Sequence, residues 1–381
     1  MRFKHSIICL FVFLIYVNCL NAQENYKQIA EGKEVYAGGD SYDVKLFNTK
    51  TKGKKPKNVV LMIGDGMGVS HIFAGLTANN GHLYLENFKT IGFSKTHSAN
   101  NYTTDSAAGG TALSCGIKTY NGAIGMNMDT VPVVNIREIA EEKGKSTGVV
   151  STSSITHATP ASFIAHQPER TMYEAIAADF LKTDIDVFIG GGLKHFTQRA
   201  DNRNLVEELE KRGYLVKKEI NDIRNIDAKK LAGFTAFEHN GNYSERKDML
   251  QISTSTALNI LDKNKKGFFL MVEGSQIDWA AHQNNTQYLV EEMLDFDKTI
   301  GLVLDFAQKN KETLIIVTAD HETGGFAING GDVATGRIEG AFTTGNHTGL
   351  MVPVFAFGPG SENFSGIMEN TKITQTLKDL F

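Results

Sequence analysis

The amino-acid sequence predicts a single large α/β domain, with a mostly parallel central sheet and helices on both faces. Short, continuous apolar runs rich in β-branched and aromatic residues recur at 59–63, 148–150, 187–189, 268–272, 314–317 and 354–357. Strands buried on both faces have that composition. Amphipathic stretches at helical spacing, among them 135–143, 205–212 and 288–308, lie between the runs. The chain has 381 residues, 41% of them hydrophobic and 22% charged, which supplies the apolar surface such a core needs. That composition excludes a disordered chain and a small disulfide scaffold.

Taken in order, the chain opens with Arg2 and Lys4 ahead of an unbroken apolar run over 7–17, followed by a polar, small-residue stretch ending at Ala22. Residues 1–22 therefore read as a signal peptide. The run is too short to span a bilayer, which takes roughly 20 apolar residues, and no later stretch comes closer. The expectation is an exported protein, periplasmic or secreted, with no membrane span. Residues 23–56 read as an N-terminal appendage, a basic, turn-rich tract at 49–57 precedes the first buried strand, and residues 57–381 read as the main α/β domain.

The leader carries two basic residues and no acidic ones, so its removal takes the formal net charge from −4 to −6. No nucleic-acid partner is expected of so acidic a chain. Cys9 and Cys19 lie in the leader, which leaves Cys115 alone and excludes an internal disulfide in the mature protein. Between Ser114 and Gly116 it reads as a buried thiol.

Ligands of open α/β sheets sit beyond the carboxyl ends of the strands. Three of the predicted strands run directly into polar residues there: Gly64-Asp65-Gly66-Met67-Gly68, Glu273-Gly274-Ser275-Gln276-Ile277-Asp278, and Thr318-Ala319-Asp320-His321-Glu322. Carboxylates at three neighbouring strand ends repel one another unless cations lie between them. Asp278 and His282 are four residues apart, so on a helix both project from one face. His347 lies in a loop, Thr344-Gly345-Asn346-His347-Thr348-Gly349. Carboxylates mixed with imidazoles and lacking thiolates suit zinc, or a mixed zinc and magnesium centre.

Ser106, in Thr104-Asp105-Ser106-Ala107-Ala108-Gly109-Gly110, stands at the head of a small-residue helix. Asp105 or Ser106 could be its cap, and a serine oxygen at that terminus would also face a bound phosphate. No G-x-S-x-G elbow occurs, so a Ser-His-Asp hydrolase is poorly supported.

In this order the segments resemble the alkaline phosphatase family: Ile63 to Gly68, Thr104 to Ala108, Lys118-Thr119-Tyr120-Asn121-Gly122-Ala123, Thr156-His157-Ala158-Thr159-Pro160-Ala161, Glu273-Gly274 with Asp278 and His282, Thr318 to Glu322, and His347-Thr348-Gly349. The resemblance covers roughly 57–360. It implies a phosphate-monoester hydrolase in which Ser106 is the nucleophile, forming a phosphoserine, and Arg170 clamps the phosphate oxygens. It implies one zinc on Asp278, His282 and His347, and a second on Asp65, Asp320 and His321 with Ser106 as fourth ligand. Magnesium shares Asp65 and adds Thr159 and Glu273. Homodimers are usual in the family. Outside this pattern, Arg170 would read as half of a surface ion pair with Glu169 or Glu174.

Two positions depart from a well-known bacterial branch, which carries Asp and Lys near the magnesium and the phosphate. Here they are His157, beside the third metal site, and Trp279, beside the substrate. Trp279 cannot attract phosphate by charge, so weaker retention of product phosphate is expected. The competing readings are a phosphodiesterase on the same scaffold and a secreted, non-catalytic metal- or phosphate-binding protein. Phosphate monoesters are the expected small-molecule partners.

Overall fold

A computed structural model describes residues 34–48 and 55–381. The stretch read as a signal peptide lies outside the described residues. The strands are β1 (Val35–Tyr36), β2 (Asn58–Gly64), β3 (Thr90–Lys95), β4 (Ser146–Ser154), β5 (Val187–Gly191), β6 (Leu215–Lys217), β7 (Leu231–Phe234), β8 (Phe268–Gly274), β9 (Thr313–Thr318), β10 (Glu322–Thr323), β11 (Ala327–Asp332), β12 (Arg337–Ala341), β13 (His347–Thr348), β14 (Val352–Phe357) and β15 (Gly366–Glu369).

Ten of them form one sheet in the order β15-β3-β14-β9-β2-β8-β4-β5-β7-β6. All neighbours pair in parallel except β14, which is antiparallel to both β3 and β9. The six predicted strands are all present. The four strands the sequence did not mark, β15, β3, β7 and β6, lie toward the two ends of the sheet. In β3 exposed and buried residues alternate, and β6 is three residues long, so neither forms a continuous apolar run.

Residue parity along the central strands sends side chains into two cores. Val60, Met62, Leu270, Val272, Ile315 and Val317 enter one. Val59, Leu61, Ile63, Phe269, Met271, Leu314 and Ile316 enter the other. The first core is covered by helices Val69–Ala78, Met249–Leu261 and Thr286–Asn310, the second by Ser106–Cys115, Ile136–Glu142, Leu205–Lys211 and Asn370–Leu380. Helices on both faces are thus an outcome of strand periodicity. Among the described residues, no helix is long and apolar enough to cross a membrane.

Register does the positioning. Ile63 of β2 lies opposite Glu273 of β8 and Thr318 of β9, so three adjacent strands end at one level. Ser151 of β4 lies opposite Glu273 on the other side. The two-residue strands β10 and β13 pair antiparallel, matching Thr323 to His347. That short ladder returns the distant histidine loop to the strand ends.

Residues 34–48 are held against this body. β1 pairs with β12, the Tyr42 hydroxyl donates to Asp297 Oδ2 at 2.7 Å, and the Phe47 amide donates to Asn87 Oδ1 at 2.8 Å. The loop before Met249–Leu261 is pinned by Arg246, which donates to Glu292 Oε1 and Oε2 at 2.7 and 2.6 Å and to Asp295 Oδ2 at 2.6 Å. All three side chains are almost fully buried. Arg246→Ala strands two carboxylates in the core and is expected to lower unfolding free energy by about 3–5 kcal/mol. Lys194→Ala, which opens the exposed pair with Glu238, is expected to change it by less than about 1 kcal/mol. Urea midpoints of the two variants check the contrast.

Candidate active site

The helix Ser106–Cys115 is buried along its whole length, and its small residues permit that. A Cβ on Gly109 would lie 3.0 Å from Asp320 Cβ, so glycine lets this helix approach the end of β9. Asp105 is the N-cap: its Oδ1 accepts from the Ala108 amide at 3.0 Å, and Ser106 is the first helical residue. Ser106 Oγ lies 3.2 Å from His321 Nε2. Cys115 is buried at the far end of the same helix, and burial pushes its thiol up to about 12.

Three groups of metal-capable side chains occur here, the second of them containing the His321 that faces Ser106: Asp278, His282 and His347; Asp65, Asp320 and His321; Asp65, His157 and Glu273. Within each group the donor atoms lie within 4.8 Å of one another. Thr159 joins the third group, its hydroxyl donating to Asp65 Oδ2 at 3.2 Å. Every candidate metal residue read from the sequence is therefore in this one region. In the tight turn after β2, Gly66 has φ +72°, and a Cβ there would lie 2.9 Å from Asp278 Cα. Only glycine brings the Asp65 turn that close to the Asp278 helix.

The histidines are oriented by their other nitrogens. His282 Nδ1 lies 2.7 Å from the Gly345 carbonyl, and His347 Nδ1 lies 2.8 Å from the Thr104 carbonyl. A carbonyl only accepts, so both Nδ1 atoms carry the proton and both Nε2 atoms bear the lone pair. Those Nε2 atoms face each other at 3.1 Å, with Asp278 Oδ1 3.4 and 3.5 Å away. His321 follows the same logic through Thr323. The Thr323 hydroxyl donates to Asp278 Oδ1, so its oxygen accepts from His321 Nδ1 at 3.2 Å. His321 Nε2 then points at Asp320 Oδ2 and Asp65 Oδ1, 3.3 and 3.5 Å away.

Electrostatics argue for cations here. Burial, then the charges of Asp320, Asp278 and Glu273, hold the Asp65 carboxyl well above the usual carboxylate range. Burial and Asp278 push Asp320 up to about 8, and burial raises Glu273. Burial and His347 keep His321 well below the imidazole range. Asp278 goes the other way, because His282 and His347 outweigh the effect of burial. Asp65 Oδ1, Glu273 Oε1 and Asp320 Oδ2 are buried and have no hydrogen-bond partner. Unsatisfied carboxylate oxygens beside neutral imidazoles form a donor set that fits divalent cations.

Arg170, which local sequence placed beside Glu169 and Glu174, reaches across to Asp105 and His157. Its Nη1 donates to Asp105 Oδ2 at 3.1 Å, and its Nη2 lies 3.3 Å from His157 Nε2. Asp105 Oδ2 also accepts from the Gly122 amide at 3.0 Å, and the Asp105 amide donates to Asn121 Oδ1 at 3.3 Å. The segment 118–123 thus braces the residue that links Ser106 to Arg170. Trp279 is buried beside His157, with ring centroids 5.8 Å apart.

Sequence reasoning did not assign roles to Thr323, Ser151, Ser275 or Glu322. Thr323 spans two metal-capable groups. The Ser151 hydroxyl donates to Glu273 Oε2 and lies 3.0 Å from Ser275 Oγ. Glu322 accepts from the Thr348 hydroxyl and the Phe326 amide, holding the His347 ladder. Only the adjacency of Glu322 and Thr323 to Asp320-His321 could have signalled them.

A parallel sheet whose strand ends set a serine hydroxyl among carboxylate and imidazole clusters is the architecture of a metal-assisted hydrolase. The family model described as Alkaline phosphatase matches residues 56–340. Alkaline phosphatase 3 of Bacillus subtilis (strain 168) is 35% identical, over 86% of this chain and 90% of that protein. Alkaline phosphatase of Escherichia coli (strain K12) is 31% identical, over 85% of this chain and 86% of that one. The solved structure of alkaline phosphatase from the Antarctic bacterium TAB5 matches with a TM-score of 0.81 at 43% identity, covering 86% of this chain and 98% of that one. A His-to-Asp mutant of the TAB5 enzyme has Mg bound in its M3 site. The chain belongs to the alkaline phosphatase family, and it is a phosphatase enzyme.

Added Zn²⁺ and Mg²⁺ are expected to raise the Tm of chelator-stripped protein, each site adding about 2.7 kcal/mol when its ion stands at about 100 times Kd. Asp320→Asn is expected to remove most of the rise. A Tm indifferent to chelation, read by calorimetry, contradicts a cation-binding cluster.

Proposed function

We propose that this phosphatase hydrolyses phosphate monoesters in two steps, through a phosphoserine on Ser106. The observation that carries the reading is the position of Ser106 Oγ, 3.2 Å from His321 Nε2 at the N-terminus of a buried helix whose amides favour anions. In the first step a bond forms between Ser106 Oγ and phosphorus, the bond from phosphorus to the ester oxygen breaks, and the proton Ser106 gives up goes to the departing alcohol. In the second, water attacks phosphorus, the bond to the serine oxygen breaks, and the proton the water gives up returns to Ser106. Arg170 supplies a planar fork for two non-bridging oxygens, which a lysine cannot copy.

The donor sets fit two zinc ions, one on Asp278, His282 and His347 and one on Asp65, Asp320 and His321 with Ser106. They also fit magnesium on Asp65, Thr159 and Glu273 with His157 alongside. The chemistry such ions supply when bound is charge stabilisation at the attacking and leaving oxygens. His282, His347 and His321 each carry the proton on Nδ1 and turn Nε2 toward the carboxylates, so these three donors need no rearrangement.

The chain is read as exported, with its leader ending at Ala22, and as a homodimer. The dimer reading is supported by exposed apolar side chains that line one shallow pocket, Val69, Leu350 and Met351, each 44–56% exposed. Patches of that kind mark association surfaces.

With a chromogenic monoester and a diester assayed side by side at alkaline pH, monoester turnover is expected to dominate. Ser106→Ala and chelation should each abolish it, and Arg170→Lys should lower kcat/KM by about 10²-fold. Preference for the diester would move the enzyme to the sister activity. Trp279→Lys is expected to tighten inhibition by inorganic phosphate. An unchanged inhibition constant would show that Trp279 does not set product retention.

A further inference from the structure

Beside Arg170 three rings stand edge to face. Trp279 and His239 have centroids 4.9 Å apart at 88°. His157 and His239 are 5.7 Å apart at 85°, and His157 and Trp279 are 5.8 Å apart at 83°. Edge-to-face contacts are favourable and directional, so each ring restricts the other two. Two of the three are almost fully buried, Trp279 at 5% exposure and His157 at 1%. His239 is the half-buried member that closes the cage from the loop side.

His239 is itself held in place. The Ser154 amide, at the end of β4, donates to His239 Nδ1 at 3.1 Å. The next residues are tied down as well: Gln276 Nε2 donates to the carbonyls of Asn240 and Gly241 at 2.9 and 3.1 Å. Arg246 anchors the far end of the same loop to Glu292 and Asp295.

The caged ring that matters for phosphate is His157, because its Nε2 lies 3.3 Å from Arg170 Nη2. On its other side the guanidinium donates to Asp105 at 3.1 Å. Arg170 is thus located by the residue that precedes Ser106 and by a ring that His239 and Trp279 confine. We propose that His239 is a positioning residue of the phosphate clamp: its ring braces Trp279 and His157, and through His157 it sets where Arg170 presents its fork. The proposal rests on Arg170 acting as that clamp. Small displacements of a clamp have large kinetic effects, and groups whose rotamers are locked by packing hold geometry best.

Trp279 is the only tryptophan in the chain, so intrinsic fluorescence of the holoenzyme reads the cage directly. His239→Ala is expected to change Trp279 emission and to lower kcat/KM for a chromogenic phosphate monoester about tenfold. His239→Phe, which keeps a ring, should recover most of that loss. His239→Gln, which keeps only an acceptor for the Ser154 amide, should not. In an Arg170→Ala background the further loss from His239→Ala should shrink below about twofold, because the two residues act through one contact. Unchanged Trp279 emission, a tenfold loss that persists without Arg170, or rescue by Gln as complete as by Phe each overturns the role of His239. If the alanine variant does not fold, the contrast between Phe and Gln carries the same test. An Arg170→Ala variant with undiminished kcat/KM overturns the clamp reading itself, and this proposal with it.

Discussion

The structure is organised around a repulsion. Asp65, Glu273 and Asp320 stand at the same end of three adjacent parallel strands, fully buried, because Ile63 is in register with Glu273 and with Thr318. Like charges so placed raise one another's proton affinity, as does their removal from water. A fold selected for stability alone would not gather them there. Either protons or cations must neutralise them, and the neighbouring imidazoles, held neutral by burial, point to cations.

Neutrality by itself does not make a ligand; the lone pair must also point inward. Backbone carbonyls of Gly345 and Thr104 and the hydroxyl of Thr323 each engage the Nδ1 of one histidine, which turns three Nε2 atoms toward the carboxylates. Two of these three acceptors belong to loops far from the histidine in sequence. The β10–β13 ladder and the Glu322–Thr348 contact bring the His347 loop back so that these bonds can form. Precision at the centre is therefore inherited from main-chain hydrogen bonding at its edge.

The proposed phosphate side is built differently. Asp105 caps the helix that begins at Ser106, accepts from Gly122 and receives Arg170, so one carboxylate links the proposed nucleophile, the helix terminus and the proposed clamp. Around it the packing is aromatic, with Trp279, His157 and His239 locking one another. Family membership accounts for the general plan.

Much of this was legible in the sequence. The apolar runs ending in Gly64-Asp65, Glu273-Gly274 and Ala319-Asp320-His321 carried both the α/β class and the metal-capable residues, because buried parallel strands leave a continuous apolar signature and their carboxyl ends are where sites form. The spacing of Asp278 and His282 was readable because helical periodicity is local. What local sequence cannot encode is pairing between distant segments. That Arg170 meets Asp105, that Thr323 serves two metal-capable groups, and that His239 reaches Trp279 follow from strand order and loop return. Those depend on the burial and register of the whole sheet, so only the tertiary structure decided them.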